Sequence, residues 1–126
     1  MARIITVYCD ENGLSAAMES SLPHVFPPSP FYHDAAESWC VITGTRGDFG
    51  DWHTVTSPLL SIVLTGEWEV EVESGATFLM KPGDMLFAND TTGKGHRSRV
   101  VSQVPCTVAG VGINSLPAPL CSLLPG

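Results

Sequence analysis

Basic side chains are scarce in this chain of 126 residues: 6 Lys plus Arg stand against 13 Asp plus Glu, a formal net charge of -7. An acidic balance of that size repels phosphate backbones and anionic lipid, which argues against nucleic acid and membrane surfaces as partners. Long hydrophobic runs are missing too. Nothing approaches the ~20 apolar residues that span a bilayer. Residues 1–8 hold one basic residue and an apolar stretch too short for a signal-peptide core. The expectation is a cytoplasmic protein. The four cysteines, Cys9, Cys40, Cys106 and Cys121, include no Cys-x-x-Cys pair. A zinc knuckle is therefore not indicated, and the thiols read as core residues in a reducing compartment. Repeats, low-complexity tracts and linkers are absent as well, which points to one domain.

What is present in quantity is turn chemistry, with 12 glycines and 10 prolines scattered along the chain. That pattern favours many short strands. Residues 67–73 alternate strictly, with Trp68, Val70 and Val72 on one face and four glutamates on the other. Period two over seven residues is a half-buried strand with its acids in water. Residues 59–64 form a β-branched apolar run suited to a strand covered on both faces. Turns are expected at Thr65-Gly66, at Ser74-Gly75 and at Lys81-Pro82-Gly83-Asp84. Further strands are expected at residues 1–8, 39–43, 77–80, 85–88, 97–102 and 106–113. Residues 14–21 fit a short helix or an irregular strand. The prolines of residues 23–30 exclude regular helix there. The pattern as a whole reads as an all-β sandwich or barrel.

In order and nearly in register, these pieces resemble the cupin superfamily, a small jelly-roll β-barrel. The family's first motif runs glycine, five residues, His-x-His, glutamate and a closing glycine. Gly47, His53 and Gly66 match it. The second motif opens after a Pro-Gly turn and ends Gly-x-x-His, which Pro82-Gly83-Asp84 and Gly93-Lys94-Gly95-His96 match with two extra residues between. The resemblance covers about residues 40–113. It implies a core over 38–113, an N-terminal strand or arm over 1–37 and a Pro-rich tail over 114–126. Val55 and Leu59 stand where the family places its second histidine and its glutamate, and Val100 where an asparagine often trails.

Two of the four family metal ligands are thus kept, His53 and His96. Without a cofactor, which is the first expectation, they form an acid–base pair inside the barrel mouth. Asp51 then orients His53, while Val55, Leu59 and Ser61 line the substrate pocket. Lys94 is a candidate for an anionic substrate group. This reading gives a lyase, isomerase or cyclase acting on an apolar-bodied small organic molecule of biosynthetic, secondary-metabolite type. Alternatively, residues 51 and 53 share a face of an extended strand. Asp51, His53 and His96 would then make a two-His-one-carboxylate site for a divalent metal (Fe, Mn, Ni or Zn) and a non-haem oxygenase. A third possibility is a ligand-binding domain without catalysis. His33 is a further candidate ligand, and His24 reads as surface. Trp52 should face away from His53, and Trp68 should pack in the core. Arg97 and Arg99 read as solvent-facing charges. In the loop between residues 89 and 95, Asp90 reads as bonding the amides that follow it. A sheet edge or the apolar tail is expected to pair with a second copy as a homodimer.

Overall fold

The structure, a computed structural model, describes residues 3–21 and 35–113. All regular elements among them are strands. They are β1 (Arg3–Cys9), β2 (Ser15–Ser21), β3 (Ser38–Gly44), β4 (Phe49–His53), β5 (Leu59–Thr65), β6 (Trp68–Val72), β7 (Thr77–Met80), β8 (Met85–Ala88), β9 (His96–Val100) and β10 (Cys106–Gly112). Six of them form one sheet in the order β2-β1-β8-β5-β10-β3, and the other four form a second sheet in the order β4-β9-β6-β7. The all-β, jelly-roll expectation holds. No helix among the described residues is long and apolar enough to cross a membrane.

The alternation read in residues 67–73 is realised by β6. Val70 and Val72 are fully buried, and they meet Ile5, Val7, Val63, Met80, Leu86 and Cys106 between the sheets. Trp68 is half-buried against the same cluster. On the outer face the glutamates are not simply solvated. Glu69 pairs with Arg99 and Glu71 with Arg97, each at 3.0 Å across the β6–β9 ladder. Opposite charges facing each other on adjacent strands support a sheet by a few tenths of a kcal/mol to about 1 kcal/mol each.

Residues 15–21 form a strand and not a helix. A turn built on Asp10, whose Oδ1 accepts from the amides of Asn12 and Leu14, folds β2 back on β1 in unbroken register from Cys9↔Ser15 to Arg3↔Ser21. The ladder decides a conformation that local propensity left open. With Ile4, Ile5 and Val7 buried and β1 inside the larger sheet, the core begins well before position 38.

Of the cysteines among the described residues, only Cys106 takes the expected core place. Cys9 is half-buried and Cys40 exposed. Cys121, His24, His33 and the C-terminal tail lie outside the described residues.

Candidate functional site

Between the two sheets lies a cavity of about 330 Å³, lined mostly by apolar groups. Its floor includes Leu59, Trp68, Leu86 and Val108, and Phe49 stands at its rim, 72% exposed. His53 and His96 both line it, with Ser61 and Ser98 supplying hydroxyl groups.

The two histidines meet because their strands do. His53 ends β4 and His96 opens β9, and the two residues face each other directly in the antiparallel ladder. Their ring centroids are 4.5 Å apart with planes tilted by 57°. This closeness depends on Gly95. The residue has φ +79°, and a Cβ there would collide with the carbonyl group of His53. Only glycine lets the two backbones pass so near. Ser15, buried in β2, fixes the same point from the other sheet. Its Oγ donates to the Gly95 carbonyl at 2.6 Å and accepts from the Glu73 amide at 2.7 Å.

The two rings have different surroundings. His96 is buried, and its Nδ1 lies 2.7 Å from Oδ2 of Asp90, which has no exposed surface. His53 is more exposed, and its Nδ1 lies 2.8 Å from the main-chain oxygen of Asp51.

Asp51 therefore touches His53 through its backbone and not through its carboxylate. Its Oδ1 accepts from the Trp52 amide on the surface. The reason lies in β4, where the register with β9 shifts between Gly50 and His53. An inserted residue interrupts the two-residue alternation, so the face shared by residues 51 and 53 of an ideal strand does not form. Trp52 does turn away from the cavity, with the Arg97 guanidinium 4.9 Å from its ring centroid.

Leu59 and Ser61 are among the residues lining the cavity, and Val55 and Lys94 are not. Val55 donates its amide to the Asp90 carbonyl at 3.1 Å. Lys94 is exposed, and its amide donates to Glu73 Oε1 at 2.7 Å. Cys106, not foreseen as a site residue, lines the cavity, and burial pushes its thiol up from the ordinary value. It is a neutral, compact wall group.

The metal expectation meets a short donor set. Stable first-row sites use three or more protein ligands. Among the described residues no three His, Cys, Asp or Glu side chains are grouped to hold an ion. Asp51 is turned outward, one Asp90 oxygen is engaged by His96, and Val55 and Leu59 bring no donor atom. The described residues around His53 and His96 do not supply the ligand set of a two-His-one-carboxylate centre.

No protein-family model matches the chain, and no curated protein does. Solved structures do match. The cupin domain of Cnp3 from Schizosaccharomyces pombe aligns with a TM-score of 0.50 at 15% identity, covering 90% of this chain and 86% of that one. Protein NMB1881 from Neisseria meningitidis aligns at 0.50 and 17% identity over 60% of this chain and 72% of its own. ToxT from Vibrio cholerae aligns at 0.55 and 7% identity over 64% of this chain, which spans 31% of ToxT. At such identities the likeness concerns the fold alone. Two sheets in jelly-roll order, the paired motif histidines at one end of the interior and a cupin domain among the structural matches lead to one conclusion: this chain has the cupin fold.

Proposed function

We propose that the protein is a small-molecule enzyme of the cupin type, a lyase, isomerase or cyclase whose acid–base pair is His53 and His96. The observation that carries this reading is the meeting of the two imidazoles, 4.5 Å apart, in one mostly apolar cavity. Imidazole is the side chain best suited to exchanging a proton near neutral pH. Two such rings facing one hollow can remove a proton at one position of a substrate and return one at another. A cavity of about 330 Å³ falls within the usual range for small-ligand pockets. Its aliphatic and aromatic walls suit a substrate with an apolar body, and the Ser61 and Ser98 hydroxyls suit a single polar function on it.

The test is proton exchange, which can be followed without identifying the product. The protein is incubated in D₂O with a panel of small cyclic ketones, enols and phenols, and deuterium entering carbon positions is followed by mass spectrometry. Catalysed incorporation into at least one compound, falling by about 10²-fold or more in His53→Ala and in His96→Ala, supports the proposal. Binding of panel compounds with no incorporation would make the protein a ligand-binding domain. Turnover that appears only with added iron and consumes O₂ would make it an oxygenase.

A further inference from the structure

Asp90 is not one of the fixed positions of either histidine motif, yet it is the one acid among the described residues that is fully buried. Its Oδ2 faces His96 Nδ1, while its Oδ1 is buried with no hydrogen-bond partner. A half-satisfied carboxylate in an apolar interior is costly, and such groups concentrate where a site needs them. The main chain of Asp90 adds a second tie, because its carbonyl accepts from Val55 just beyond His53. One residue thus grips the segments that carry both histidines.

The nature of the two Nδ1 partners fixes where the hydrogens sit. A peptide carbonyl can only accept, and so can an ionised carboxylate, so with Asp90 ionised Nδ1 is the donor in each ring. In a neutral imidazole that leaves a bare lone pair on Nε2. Two acceptors then stand side by side at one cavity with no hydrogen to share between them.

We propose that Asp90 is a positioning residue that holds His96 as the Nδ1–H tautomer, matching the one the Asp51 carbonyl sets in His53. The cavity consequently selects apolar-bodied molecules that bring a hydroxyl, enol or phenol hydrogen. This rests on the reading of the cavity as a small-molecule site and names what it recognises there. A ligand O–H donates to an Nε2 atom and relieves the opposed lone pairs. An ether or ester of the same shape carries acceptors only and leaves them opposed. Ser61 and Ser98, whose hydroxyls donate as readily as they accept, remain for a carbonyl oxygen on the same molecule.

The experiment is a long-range ¹H–¹⁵N correlation spectrum of the labelled protein at mildly alkaline pH, which distinguishes the two imidazole tautomers. It is followed by titration with phenol and with anisole. The expected result is the Nδ1–H pattern for both rings, with phenol moving both Nε2 resonances and anisole binding about tenfold more weakly, the worth of one hydrogen bond. In Asp90→Asn, the amide offers an N–H to the ring, so His96 moves to the Nε2–H form while His53 keeps its own. The preference for phenol should shrink with it. An Nε2–H pattern for His96 in the unaltered protein, or an Asn variant that folds and leaves the pattern as it was, overturns the role of Asp90. Equal affinity for phenol and anisole overturns the selectivity. If neither probe binds while both rings show the Nδ1–H pattern, the small-molecule reading of the cavity falls and takes the selectivity with it, whereas the assignment of Asp90 stands. Should the Asn variant not fold, the tautomers and the two titrations of the unaltered protein decide the matter.

Discussion

Cys106 illustrates how a single side chain can belong to core and cavity together. Its backbone opens β10, its side chain joins the buried cluster, and the same side chain walls the cavity. Burial penalises the thiolate, so the thiol in the folded chain holds its proton to higher pH than the ordinary value of 9.0. The folded state then binds more protons than the unfolded state between those two values, and stability must fall as pH rises through that window. Denaturation midpoints measured on either side of pH 9 should show this loss in the native sequence and a smaller one in Cys106→Ala. Equal losses in both proteins would remove the thiol from the account. Asp90 is a similar case of double duty, and it explains a miss at this scale. In the sequence it sits in Asn89-Asp90-Thr91-Thr92-Gly93, where an aspartate ordinarily bonds the amides that follow it. Nothing local says that the loop turns inward and buries the acid against His96, because that contact is made by the tertiary fold.

At the scale of elements, the strands with strict alternation or dense β-branched residues were legible, since period-two patterning reports directly which face is buried. β5, β6 and the Lys81–Asp84 turn are examples. The His53–His96 pair was legible through the motif resemblance, which rests on Gly47, Gly66, Gly83 and Gly93, whereas Gly95, the glycine that lets the strands cross, was no part of that spacing. The closeness of the two backbones requires a residue without a Cβ, so Gly95 and the histidine beside it are parts of one crossing. The bulge in β4 was not legible, because a register shift depends on the partner strand, and with it went the placement of Asp51. The crossing can be tested against an internal control. Gly75 has φ +93° with open space around it, so Gly75→Ala should cost only the left-handed backbone penalty, about 1–2 kcal/mol. Gly95→Ala carries the same penalty plus a collision with His53, and chemical denaturation should show a clearly larger loss. Matching losses would mean that β4 and β9 do not approach as described.

Over the whole molecule, the sheets divide the work. The larger sheet takes in β1 and β2 from the N-terminal third, whose Ser15 reaches across to secure the loop before β9. The smaller sheet carries both histidines and faces solvent with its Arg–Glu ladder. Each of these features serves one arrangement, two imidazoles directed at a common interior. Its most direct test is a nuclear Overhauser measurement between the assigned ring protons of His53 and His96. Rings with centroids 4.5 Å apart should give strong cross-peaks between them. Two assigned rings in the folded protein with no cross-peak would place them apart and contradict the shared site.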